Sequence, residues 1–238
     1  MPTLLITGAN RGLGFGLTEL YVADGWRIFA CVRAPQKAAA LSALAAKADG
    51  RLTLHPLDVE DHASVEALGR ALRGQPIDVL LNVAGWYGSR INSEPGGLGK
   101  FGESDFAEWE RIYRINVIGP MKMAETFVDN VAASQQKKLV SLTSIIGSIG
   151  GNPSGMMYGY RASKAALNAV MKAMAIDLKA RGIIAVPLHP GWVRTEMGGP
   201  NADIDTPESV HGMKKVIDGL TPADSGRFLA YDGSELPW

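Results

Sequence analysis

The chain has a single cysteine, no excess of either charge and no long apolar run. With only Cys31 among its 238 residues, no disulfide can form within it. Cys31 lies in the apolar run Ile28 to Val32, the setting of a small buried hydrophobe and not of a reactive thiol. Lysines plus arginines number 24 and acids 24, so no net charge holds the chain against nucleic acid or an acidic membrane surface. No segment approaches the roughly 20 apolar residues of a membrane span, and the start, Met1-Pro2-Thr3-Leu4-Leu5-Ile6-Thr7-Gly8, shows no basic leader. A cytoplasmic location is the resulting expectation. His55, His62, His189 and His211 show no ligand spacing with one another or with Cys31, and no metal site is expected.

What is there is the balance of a folded protein, with 46% apolar and 20% charged residues. An α/β sheet domain of this length usually stays undivided, so one domain over residues 1–238 is expected. Leu4 to Ile6 form a short apolar run ending at a glycine-rich turn, after which Leu13, Leu17, Leu20 and Tyr21 recur at helical spacing up to Asp24-Gly25. Arg27 to Val32 reads as a second strand, Pro35 to Ala48 as an alanine-rich helix, and Leu52 to Leu57 as a third strand ending at Asp58. A helix around Ala63 to Arg73, a strand Val79 to Asn82, a helix beginning near Ser104, and strands Leu139 to Leu142 and Ile183 to Leu188 continue the alternation. Met157 to Ala180 is the longest helix candidate, with Gly182 as its stop. Gly198 to Pro207 reads as a mobile loop next to the substrate, followed by a helix Glu208 to Gly219. Strands alternating with helices need right-handed crossovers on both faces, so the expected fold is a Rossmann-like, doubly wound α/β domain with a parallel sheet of about seven strands.

Thr7-Gly8-Ala9-Asn10-Arg11-Gly12-Leu13-Gly14 sets three glycines between a strand and a helix, where backbone N–H groups and the helix dipole can meet a pyrophosphate. The spacing differs from the ordinary Gly-x-Gly-x-x-Gly fingerprint. An NAD-preferring site would place an acid about 20 residues further on; here the second strand ends Cys31-Val32-Arg33. Arg33, with Arg11 inside the glycine turn, instead suits the extra phosphate of NADP(H). Asp58-Val59 is placed to meet an adenine, and Asn82-Val83-Ala84-Gly85 brings small residues against the cofactor at the end of the fourth strand.

Tyr160 and Lys164 stand four apart on a predicted helix, so they address one small volume. Moving a tyrosine pKa from near 10 to near 7 takes roughly 4 kcal/mol, which a neighbouring ammonium and a cationic nicotinamide can supply. Ser144 follows the strand Leu139 to Leu142, at the end where open α/β sheets bind ligands. Asn116 stands four residues before Pro120. If one helix runs through both, Pro120 offers no N–H to the Asn116 carbonyl, which is then free for a water linked to Lys164; alternatively a new helix starts at Pro120.

Taken in order, Thr7 to Gly14, Asp58, Asn82 to Gly85, Asn116, Ser144, Tyr160 with Lys164, and Pro190-Gly191-Trp192-Val193-Arg194-Thr195 resemble the short-chain dehydrogenase/reductase family, in its NADP-preferring group. The resemblance implies a tetrad in which Tyr160 exchanges the proton, Ser144 orients the carbonyl, Lys164 binds the nicotinamide ribose and lowers the tyrosine pKa, and Asn116 supports a water relay. It also implies that Pro190 and Gly191 line the cofactor and that Val193 and Thr195 hold its carboxamide. Ser144 lies sixteen residues before Tyr160, a longer gap than most members show, and Ser148 is a rival for its role. The string Leu142 to Gly150 and the tail through Leu236-Pro237-Trp238 resemble a narrower group of C-factor-like signalling proteins and sniffer-type carbonyl reductases.

The implied activity is NADPH-dependent reduction of a ketone, aldehyde or quinone. Trp86, Tyr87, Met156, Met157 and Trp192 are candidate pocket walls for such a small-molecule substrate. The alternative is an NADP(H)-binding signalling or redox-sensing protein with little turnover. The family implies a homodimer or homotetramer built on the helix carrying Tyr160, with monomers within the narrower group.

Overall fold

The computed structural model describes residues 1–91, 94–95 and 101–238. Its strands are β1 (Thr3–Thr7), β2 (Arg27–Val32), β3 (Leu52–Pro56), β4 (Val79–Asn82), β5 (Arg90–Ile91), β6 (Glu94–Pro95), β7 (Lys138–Leu142), β8 (Ile184–His189) and β9 (Leu229–Ala230). Its α-helices are α1 (Gly12–Ala23), α2 (Ala39–Ala46), α3 (His62–Ala71), α4 (Phe106–Tyr113), α5 (Gly119–Ala132), α6 (Tyr158–Asp177) and α7 (Thr206–Gly219). Seven strands form one sheet in the order β3-β2-β1-β4-β7-β8-β9, every neighbouring pair parallel; β5 and β6 form a separate antiparallel pair. This is the Rossmann-like, doubly wound arrangement.

The strands are continuous apolar runs because both faces are covered. In β1, Leu4 and Ile6 pack with Leu17 and Tyr21 of α1 and Met213 of α7, while Leu5 between them joins Val65 of α3, Phe127 of α5 and Met171 of α6. The period of two along the strand thus sorts side chains into two cores.

The strands read from the sequence lie within a residue or so of their positions, whereas two other expectations need correction. The helix expected over 35–48 breaks at Ala38, whose backbone (φ −92°, ψ 62°) separates a 3-10 turn, Pro35–Lys37, from α2. The loop expected to run to Pro207 ends at Asp205, whose carboxylate accepts the Glu208 amide at 2.8 Å, so Pro207 lies in the first turn of α7. Pro tolerates that position because the missing N–H would have no partner there. The sheet has the expected seven strands; the seventh, β9, is not locatable from the sequence because its two residues are too short to show a period.

Candidate active site

The sheet order turns back between β1 and β4, the place where doubly wound sheets open a crevice. A cleft of about 730 Å³ opens there at the carboxyl ends of the strands. Gly8, Asn10, Arg11, Gly12, Leu13, Gly14, Arg33, Asp58, Val59, Ala84, Gly85, Tyr160, Lys164, Pro190 and Thr195 all line it. Residues read separately from the sequence therefore share one cavity.

Glycine chemistry builds its floor. The Gly8 amide donates to the Cys31 carbonyl at 3.0 Å, and the Thr7 hydroxyl accepts from the Val83 and Ala84 amides, both at 3.0 Å. The β1 turn is thereby tied to both neighbouring strands. A Cβ on Gly14 would stand 2.2 Å from the Gly8 carbonyl oxygen, so no side chain fits between the turn and α1. Arg11 caps α1 with no side-chain hydrogen bond, which leaves the N–H groups of the first turn free for an anion at the cleft.

Arg11 and Arg33 are exposed at the mouth of the cleft. Arg11 is ion-paired with Glu196, from the segment after Thr195. The opposite wall carries an arrangement that the sequence reading missed. Arg111 of α4 grips the Glu60 carboxylate with Nε–Oε1 and Nη2–Oε2 contacts of 3.1 Å and lies 4.7 Å above the Trp86 ring. Glu60 and Arg111 are fifty-one positions apart, and no local spacing announces such a pair. Cys31 also lines the cleft; burial pushes its thiol up, which keeps it protonated.

Tyr160 and Lys164 lie one turn apart on α6, with the ammonium 5.7 Å from the tyrosine ring centroid. Burial pushes the Tyr160 pKa up to about 12, against an opposing hydrogen bond from Ser144. Lys164 donates to the Leu142 carbonyl at 2.9 Å, and burial pushes its pKa down to about 8. The ammonium thus addresses the ring face and a backbone oxygen, and its charge is weakened by the same desolvation that raises Tyr160. The two hydroxyls that compete for the Ser144 role have different partners. Ser144 Oγ accepts from the Ile146 amide at 3.3 Å and opposes the upward push of burial on Tyr160, whereas Ser148 donates to the Trp238 main-chain oxygen at 3.0 Å.

Asn116 sits in a π turn, Arg114–Ile118, that carries the chain helically from α4 into α5. Both sequence alternatives are thereby partly met: the helical path is continuous, and Pro120 lies in the first turn of α5, which begins at Gly119, without an N–H for the Asn116 carbonyl. The side chain forms a clip, accepting from the Trp86 amide at 2.8 Å and donating to the Trp86 carbonyl at 2.7 Å and to Ser163 at 3.1 Å. A Cβ on Gly85 would point between Asn116 Oδ1, at 3.5 Å, and Lys164 Nζ, at 3.8 Å.

Asn82, Asn116, Ser144, Gly191 and Val193 are outside the cleft lining, Ser144 directly after its lining residue Thr143 and Asn116 directly after Ile115. Asn82 is buried, donating to Ser141 at 3.1 Å, because it ends a central strand. Gly191 packs against Ile204 and Tyr231, and buried Val193 bridges to Ile204. Of the expected walls, Trp86 and Tyr87 line the cleft, and Tyr87 stands edge-to-face on Tyr160 with centroids 6.4 Å apart. Met156, Met157 and Trp192 are outside its lining.

Residues 2–204 match the family described as short chain dehydrogenase. The chain belongs to this family. It is 42% identical to the C-signal protein of Myxococcus xanthus over 163 residues, 68% of this chain and 93% of that protein. Among solved structures it superposes on the carbonyl reductase Sniffer of D. melanogaster with a TM-score of 0.90 and 29% identity, both chains being covered in full. It superposes on the NADPH-bound carbonyl reductase from chicken fatty liver with a TM-score of 0.88 and 32% identity, covering 100% of this chain and 99% of that one.

Proposed function

We propose that this short-chain dehydrogenase reduces the carbonyl group of a small ketone, aldehyde or quinone with NADPH. The observation that carries the reading is that Tyr160 and Lys164, one turn apart on α6, line the same cleft as an uncapped glycine turn and two exposed arginines. The cleft fits a dinucleotide phosphate. Free N–H groups at the start of α1 suit the pyrophosphate, Arg11 and Arg33 suit a further phosphate, and Gly85 leaves open the space between Asn116 and Lys164. Bound NADPH supplies the hydride.

The chain's own residues do the rest. Tyr160, held protonated by burial, is the proton donor to the carbonyl oxygen. Ser144 holds that oxygen beside the phenol. Lys164 holds the ribose side and keeps positive charge near the phenolate that proton donation leaves behind. Asn116 fixes the Trp86 segment, and with it the cleft wall, through three hydrogen bonds. Tyr87 packed on the Tyr160 ring favours apolar or aromatic carbonyl compounds over small charged ones.

The test is loss of NADPH absorbance on a panel of aldehydes, ketones and quinones, with NADH and Tyr160→Phe as controls. Tyrosine-dependent turnover that prefers NADPH is the expected result. The likeness to C-signal favours one second reading, an NADP(H)-binding signalling protein; tight NADPH binding without turnover across the panel would select it.

A further inference from the structure

The loop after Ser144 is held from two sides. On one side, Gly147 lies so close to α6 that an added Cβ would meet the Lys164 carbonyl carbon at 2.7 Å. On the other, three donors converge on the Trp238 main-chain oxygen: the Ser148 hydroxyl and the Ile149 and Gly150 amides, each at 3.0 Å. Trp238 is itself fixed. The Leu236 amide donates to the Phe228 carbonyl at 2.8 Å, and the Trp238 ring packs on fully buried Phe228 with centroids 5.6 Å apart. The Lys172 ammonium, tied to the Gly226 carbonyl at 2.9 Å, lies 5.7 Å from the same ring.

Between these two anchors runs a single 3-10 turn, Ile145–Gly147, that begins at Ser144. Ser144 Oγ accepts from the Ile146 amide at 3.3 Å, and its carbonyl accepts from Gly147 at 2.9 Å. The same side chain acts on Tyr160, opposing the upward push of burial on the phenol. One rigid turn therefore joins Trp238 to the hydroxyl beside the reacting phenol.

We propose that Trp238 is a positioning residue: by holding Ser148, Ile149 and Gly150 it sets the turn that aims Ser144 at Tyr160. The proposal rests on the reading of Ser144 and Tyr160 as the residues of carbonyl reduction. It makes the tail part of the active-site framework, although Trp238 is outside the cleft lining. The ring acts as the post and the main-chain oxygen as the hook, so Trp238→Ala loosens the hook while Trp238→Phe keeps an aromatic post on Phe228.

The experiment compares the wild-type chain, Trp238→Ala and Trp238→Phe by three measurements. In Trp238→Ala, kcat for carbonyl reduction falls about tenfold while the NADPH Kd stays within about twofold, as displacement confined to the reacting groups requires. The alkaline limb of its pH profile moves to higher pH, because losing the Ser144 bond raises the tyrosine pKa further. Hydrogen exchange, which needs no turnover, speeds up by about tenfold at the Ile146 and Gly147 amides. Trp238→Phe restores all three. Unchanged exchange at Ile146 and Gly147 in Trp238→Ala overturns the proposal, as does a kcat loss matched by lost NADPH binding or not rescued by phenylalanine. A wild type that binds NADPH without turning over refutes the reductase reading instead, and the exchange measurement still decides the role of Trp238.

Discussion

The glycine-built wall of the cleft and the segment that leads into Tyr160 are made in different ways. On the cofactor side, from Thr7 to Gly14 and at Ala84-Gly85, the shape is backbone meeting backbone, and glycine is the one residue that fits where 2.2 Å separates a notional Gly14 Cβ from the Gly8 oxygen. The segment between Ser144 and Tyr160, which leads from the cleft residue Thr143 to Tyr160, is instead shaped by side-chain clamps. Arg161 donates from Nε to the Gly155 and Met156 carbonyls at 2.9 and 3.0 Å and from Nη2 to Ser154 at 2.9 Å. Met156 and Met157 are held there at φ values of 57° and 55°, a left-handed backbone that costs these residues about 1 kcal/mol or more each. A backbone-built wall admits little variation, whereas a clamped segment can change its clamps and its shape.

That contrast can be broken at several points. The largest effect is expected on the backbone-built side: Gly14→Ala forces a Cβ onto the Gly8 carbonyl and should weaken NADPH binding more than 100-fold, read by fluorescence titration. On the clamped side, Ser144→Ala should lower kcat by roughly 10- to 100-fold with NADPH affinity retained, and Ser148→Ala by only a few-fold. Equal losses in the two would erase the distinction drawn from their different partners. Arg33→Asp should shift the ratio of NADPH to NADH efficiency about tenfold toward NADH, since the charge facing the additional phosphate is reversed.

The smallest effect lies away from both regions, at His189. Its Nδ1 is buried with no hydrogen-bond partner among the described residues, and burial pushes its pKa down to about 4 against the opposing charge of Asp232. With the folded-state pKa below the unfolded value near 6.5, the unfolded chain binds more protons between those values, so stability present above pH 6.5 is lost as pH falls toward 4. Urea unfolding at pH 7 and pH 4.5 should show His189→Asn losing less stability than the wild type over that interval.

The legibility of the sequence follows the same division. Glycines between a strand and a helix, the continuous apolar strands and a Tyr–Lys pair one helical turn apart are local patterns, and from them the doubly wound sheet and most of the cleft lining were readable. The pairing of Arg111 with Glu60 and the seating of Trp238 against Ser148 join residues 51 and 90 positions apart, and only the fold brings them together. Asn82 and Val193 belong to the family pattern, yet they serve the strand end and the loop packing and not the cleft surface. Lys164 was expected to lower the tyrosine pKa; burial shifts both groups toward their neutral forms.

The central claim is hydride transfer to a carbonyl carbon with Tyr160 as proton donor, and it is tested most directly with NADPH carrying deuterium at C4 on the transferred face. The account expects the deuterium to appear on the carbinol carbon of the alcohol formed by the wild type, and the yield to fall at least 100-fold in Tyr160→Phe at equal NADPH occupancy. NADPH oxidation without deuterium in the product, or near-normal labelling by Tyr160→Phe, would contradict it.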